Sequence, residues 1–279
     1  MIATVVSKRA DKMTGIRKLI AIFLLVSLPF CGFAAPYAAI VIDVKSGKVL
    51  HSENANTRLH PAGLTKLATL YEVFTAVEKG EIKLDDLVRV SRNAAETSPV
   101  NLELREGQRL SVRDLIRATA VMGANDTATV LAEAISGSKA SFAIRLNEMA
   151  KELGMTRTTF KNPHGLTERG HLSTARDIAT NMQALGNDFA DFMHIFTRAF
   201  TKLSTSRTIQ HSGHRLIKDY KEATAVKTGY TRASGFNGAM IAEKRSNRII
   251  VVVFGGKSTK TRNAQMIKLA ELGFGKLQQ

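Results

Sequence analysis

Cysteine is nearly missing from this 279-residue chain, and the one that occurs, Cys31, lies in the first stretch of the sequence. Downstream of it disulfides and thiol chemistry are excluded, which is compatible with an oxidising compartment without requiring one. No apolar run reaches the roughly 20 residues a membrane span needs. The longest, Leu19 to Phe33, has 15 residues, follows Lys8, Arg9, Lys12, Arg17 and Lys18, and ends among Gly32, Ala34 and Ala35. That pattern reads as a cleaved export signal over residues 1–34, cut near Ala34, with Met13 as an alternative start. Phe30, before Cys31, is too large for a lipid-attachment site. Acidic residues are also scarce: 24 against 40 basic ones give a net charge of +16, of which about +12 falls after the signal. Such a charge favours contact with anionic polymers or membrane surfaces, although a merely solubilising surface is the commoner cause. Nucleic acid is a poor partner, because the chain reads as exported and its basic residues do not cluster with aromatics. The seven histidines form no H-E-x-x-H pair, so neither a metal nor another cofactor is expected.

What is present organises as one domain over residues 35–279. Tyr37 to Val44 and Lys48 to His51 are apolar runs around a Lys45-Ser46-Gly47 turn, which predicts an opening hairpin. Gly235 to Glu243 and Arg248 to Phe254 predict two closing strands, the second apolar enough to be central, with a helix over 261–272 behind them. Leu64, Leu67, Leu70, Tyr71, Phe74 and Val77 recur at three- and four-residue steps until Gly80, so a buried helix starts near residue 64. Ser111 opens another helix, which breaks near Gly123 and resumes from Asp126 to Ile135. Ser173 or Thr174 caps a further one. The expected fold is α/β in the α+β sense: an antiparallel sheet built from both chain ends, helices packed on it, and a helical subdomain alongside.

Several stretches together carry a resemblance: Ile42-Asp43-Val44, Pro61-Ala62 through Lys66, Asn125-Asp126, Asn162-Pro163-His164-Gly165-Leu166, Ser173-Thr174-Ala175-Arg176-Asp177, Lys227-Thr228-Gly229-Tyr230-Thr231 and Gly235-Phe236-Asn237. From Tyr37 to about Phe274 the chain resembles the serine-type D-alanyl-D-alanine carboxypeptidases, S11-type peptidases of the penicillin-binding-protein and β-lactamase-like superfamily. The resemblance implies a protein of the periplasm or cell envelope that recognises peptidoglycan stem peptides ending in D-Ala-D-Ala and interacts with β-lactams.

That family attacks with the serine of S-x-x-K, relays protons through S-x-N and completes the site with K-T-G. Here glycine stands in both serine positions: Gly63 precedes Lys66, and Gly123 precedes Asn125. By resemblance Lys66 is the proton acceptor, one helical turn from the nucleophile position. Asn125 is expected to hydrogen-bond Lys66 and the substrate backbone. The amides of Gly63 and Tyr230 would form the oxyanion hole, which a glycine serves as well as a serine. Lys227, Thr228, Gly229 and Tyr230 are the substrate-binding positions, with the lysine and threonine meeting the terminal carboxylate.

Thr65 points about 100° away from Lys66 around the helix, and Thr69 lies a turn deeper. Water in the space vacated at Gly63 would be slow: loss of a serine nucleophile costs about a millionfold, taking a typical turnover of about 10 per second to about one per day. Three readings follow. The first is a carboxypeptidase-like pseudoenzyme that binds without turnover, holding stem peptides, β-lactams non-covalently, or anionic envelope polymers. The others are an active carboxypeptidase or endopeptidase with an unrecognised nucleophile, and an envelope scaffold with a vestigial pocket.

Overall fold

A computed structural model describes residues 35–278. The expected export signal and Cys31 lie outside the described residues. The described residues open with strands β1 (Ala38–Asp43) and β2 (Val49–Glu53), then enter helix α1 (Thr65–Glu78) through a tight 3-10 turn at Ala62–Leu64. Strand β3 (Leu87–Arg89), helix α2 (Arg92–Ala95) and strand β4 (Arg109–Ser111) lead to helix α3 (Val112–Arg117). A π-helical turn at Ala118–Met122 separates α3 from α4 (Asn125–Ser136), and α5 (Lys139–Glu152) and α6 (Ala175–Asp188) follow. The short strands β5 (Phe200–Lys202) and β6 (Thr208–Gln210) and helix α7 (His214–Asp219) precede β7 (Ala223–Thr231), β8 (Gly235–Lys244), β9 (Asn247–Gly256) and helix α8 (Thr259–Lys276).

Five strands form one antiparallel sheet in the order β2-β1-β9-β8-β7, so the first and last strands of the described residues meet at the β1–β9 pairing. The expected hairpin, closing strands and central β9 are all present. The apolar continuity of β9 has a simple cause: both faces are covered. Ile249, Val251 and Val253 join Val41, Met266, Leu269 and Phe274 on the α8 side, while Ile250, Val252 and Phe254 join Ile40, Ile178, Met182 and Leu185 on the α6 side.

Helix α1 runs through the interior, with Leu67, Leu70, Val73, Phe74 and even Lys66 and Thr69 buried. Ser111 caps α3 by accepting from Asp114 N, and Thr174 caps α6 by accepting from Asp177 N. The expected break falls at Gly123, which ends the π turn in the left-handed region (φ 80°, ψ 30°). The closing helix is longer at both ends than the expected 261–272, and its earlier start is fixed by a reciprocal cap between Ser258 and Thr261.

Candidate active site

The turn at Ala62–Leu64 is held from three sides in a conformation it would not choose alone. Ala62 has φ 49°, a left-handed angle that costs a non-glycine residue of order 1 kcal/mol or more. Buried Asn237 on β8 donates to the carbonyls of His60 (3.0 Å) and Pro61 (3.2 Å) and accepts from Gly255 N (3.0 Å). Gly165 presses on the carbonyl of Ala62, where a Cβ would fall 1.8 Å from the oxygen, so only glycine fits. Thr65 Oγ1 pairs with His171 Nε2 at 2.8 Å. Because His171 Nδ1 accepts from Lys161 N, the proton sits on Nε2 and the histidine is the donor. Burial pulls the His171 pKa down to about 4, keeping the ring neutral.

Lys66, one turn into α1, donates to Asn125 Oδ1 (2.5 Å) and to the carbonyl of His164 (2.6 Å). Asn125 is anchored in turn: its Nδ2 donates to Pro99 O and its backbone amide to Val100 O (2.7 Å). Lys66 is buried, and that burial, reinforced by the charge of Lys227, holds its pKa well below the usual lysine value; Asp126 opposes the shift. Asp126 itself is spent on structure, accepting from the amides of Leu102, Leu104 and Thr127 at the start of α4. Thr69 donates to Pro163 O (2.6 Å). None of the three threonines of α1, Thr65, Thr69 and Thr75, is a hydrogen-bond partner of Lys66.

On the opposite wall, edge strand β7 brings Lys227, Thr228, Gly229 and Tyr230 past both glycines. Lys227 is fully buried behind Gly123, donates to Ala120 O (3.1 Å), and has its pKa drawn down to about 7 by desolvation. A Cβ on Gly123 would lie 3.2 Å from Lys227 Nζ. Thr228 Oγ1 donates to Ser212 Oγ at 3.0 Å.

The space at Gly63 is not vacant, contrary to the expectation of a water-sized gap there. A Cβ at that position would lie 2.8 Å from the carbonyl oxygen of Thr228 and 3.0 Å from Gly229 Cα. Conversely, a Cβ on Gly229 would fall 2.3 Å from Gly63 N. Two glycines face to face let strand and turn approach until backbone fills the room of a side chain.

A cavity of about 230 Å³ opens between these walls, lined by Gly63, Lys66, Gly123, Asn125, Thr228 and Tyr230 among others. The structure therefore brings every expected site position to one place, with Lys227 just behind the lining. It adds two that sequence reasoning missed. Arg262, nearly buried on α8, lines the cavity with no carboxylate partner; it bonds Asn263 Oδ1 and Asn237 O, and burial lowers its pKa to about 10. Its signal was available: Arg262 occupies the apolar stripe that continues through Met266, Leu269 and Gly273, where a cation is out of place. Ser212, the sole serine of the lining, sits in a segment with no periodic signal. Half-exposed Tyr230 packs on Phe236 at 4.4 Å and forms an aromatic rim. Not one aspartate or glutamate lines the cavity, so its field is cationic.

A sheet joined from both chain ends, a buried helix starting in a strained turn, and an edge strand facing it across a cavity define the penicillin-binding-protein and transpeptidase-like class. Solved structures share it: penicillin-binding protein 5 from Haemophilus influenzae superposes with a TM-score of 0.79 at 30% identity, over 87% of this chain and 71% of that one. Penicillin-binding protein 6B from Escherichia coli gives 0.77 at 33%, over 86% and 77%. The sequence profile described as D-alanyl-D-alanine carboxypeptidase (Peptidase_S11) matches residues 33–258, and the chain belongs to that family. It is 37% identical to D-alanyl-D-alanine carboxypeptidase DacF of Bacillus subtilis and 36% identical to DacC of Escherichia coli, in each case over 85% of this chain. It spans 61% and 60% of the lengths of those two relatives.

Proposed function

We propose that this chain is an exported, stem-peptide-recognising member of the D-alanyl-D-alanine carboxypeptidase family that forms no acyl-enzyme. One observation carries the reading: no hydroxyl among the described residues is a hydrogen-bond partner of Lys66, and backbone of β7 fills the place where a side chain at Gly63 would project. Covalent catalysis needs a nucleophile within hydrogen-bond reach of its base. The recognition groups are kept. Thr228 and Arg262 face the cavity and Lys227 adds its charge from behind Gly123, a set suited to the terminal carboxylate of a D-Ala-D-Ala peptide. The amides of Gly63 and Tyr230, the oxyanion donors of the family pattern, belong to the two segments now in contact. The relatives' names, D-alanyl-D-alanine carboxypeptidases, support this ligand class.

Benzylpenicillin followed by peptide mapping in a mass spectrometer tests the reading. No penicilloyl ester is expected on any serine or threonine. An ester would reject it, and one on Ser212, which Ser212→Ala should then abolish, would establish the competing reading of an enzyme with a displaced nucleophile. Equilibrium binding of a D-Ala-D-Ala-terminated peptide separates recognition from a vestigial pocket: Arg262→Gln should weaken it about 10- to 100-fold, and unchanged affinity would favour the scaffold.

A further inference from the structure

We propose that Lys66 is a carbonyl-capturing amine, and that the cavity holds a small carboxylate bearing an aldehyde or 2-oxo group as a reversible imine on its Nζ. In a serine–lysine pair the amine's lone pair is engaged by the hydroxyl. Here both partners of Lys66, Asn125 Oδ1 and the His164 carbonyl, are acceptors. A neutral amine satisfies them with its two N–H bonds and keeps its lone pair for a third direction. Lys66 lines the cavity, and no aspartate or glutamate among the described residues lines it beside the amine, although the charge of Asp126 nearby favours the ammonium. Burial and the neighbouring Lys227 favour the neutral amine as well, the same two influences that activate imine-forming lysines elsewhere.

The rest of the lining sets the ligand class. Arg262 and the Thr228 hydroxyl suit a carboxylate, and a small oxo acid fits within a cavity of about 230 Å³. In the step itself, Nζ attacks the carbonyl carbon and a proton passes from nitrogen to the oxygen, giving a carbinolamine. Loss of that hydroxyl with the second amine proton as water leaves C=N, and water reverses it; no oxidant or reductant takes part. The carboxylate end rests on the anion-binding reading of the same cavity, but the capture does not: stem-peptide amides are too unreactive toward amines to form an imine.

Pyruvate with cyanoborohydride at pH 7, followed by peptide mapping of the mature chain, reads the imine as a reduced adduct. Lys66 should be labelled on the order of a hundredfold faster than the average surface lysine, of which only about one in 2,500 is free amine at that pH. Labelling no faster than the surface would overturn the proposal. Arg262→Gln should slow labelling by pyruvate at least about tenfold more than labelling by acetone, which has no carboxylate; equal effects on both would remove the carboxylate class. Peptide affinity measured on the same preparation keeps the two readings apart. Binding without labelling sinks only the imine, and labelling without binding sinks only the stem-peptide function.

Discussion

Gly63 shows why a missing side chain is more than a deletion. The β7 backbone has come close enough that a Cβ would lie 2.8 Å from a carbonyl oxygen, so restoring serine means moving a strand and not filling a hole. Gly63→Ser should therefore lower the melting temperature, by the equivalent of about 1–3 kcal/mol, and should still form no penicilloyl ester; rapid ester formation would mean that β7 yields without cost. Gly123→Ser carries a separate penalty of about 1 kcal/mol from its left-handed backbone. Lys227 makes a different kind of prediction. Its folded pKa is about 7 and its unfolded pKa about 10.4, so between about pH 7 and 10 the unfolded chain binds more protons and stability rises with pH. Lys66 acts in the same direction. Lys227→Met should raise the melting temperature at pH 7 and flatten its climb toward pH 10; an unchanged slope would show that Lys227 stays charged when folded.

Among the elements, the turn before α1 is the one that others must hold in place. Asn237 joins it to β8 with two donated bonds and ties β9 with one accepted bond. Asn237→Ala leaves the His60 carbonyl and the Gly255 amide without those bonds in a buried setting, while the Pro61 carbonyl keeps Leu64 N, and at about 1–3 kcal/mol for each of the two groups a loss of about 3 kcal/mol in urea unfolding is expected. Peptide affinity should fall with it, since Ala62 would relax from φ 49°. A variant of wild-type stability would show that the turn keeps its shape unaided. The π turn at Ala118–Met122 has a comparable role: it ends at Gly123 and delivers the Ala120 carbonyl to Lys227.

For the molecule as a whole, the surplus of basic residues and the cationic cavity respond differently to salt. Surface attraction to a polyanion works across distances that a Debye length of about 10 Å at 0.1 M and about 3 Å at 1 M cuts off. Retention on an anionic matrix should vanish by about 1 M salt, while peptide binding at buried Arg262 should weaken far less. Equal loss of both would place peptide binding on the surface.

Much of this was legible in the residue order. The hairpin, the central strand, the buried helix and the break at Gly123 follow from periodicity and turn residues, which act over a few neighbours. The short strands β3 to β6 were not legible, because three residues carry no period. Nor was Ser212, which reaches the cavity only because β7 and the segment before α7 pack side by side. The sequence by itself determined which chemistry is missing: no fold can give Gly63 or Gly123 a hydroxyl. Only the tertiary structure decided that backbone occupies the room at Gly63, that Lys227 stands behind Gly123 and that Arg262 comes forward. Those outcomes depend on how closely segments more than a hundred residues apart pack, a distance set by the whole core and not by any local pattern.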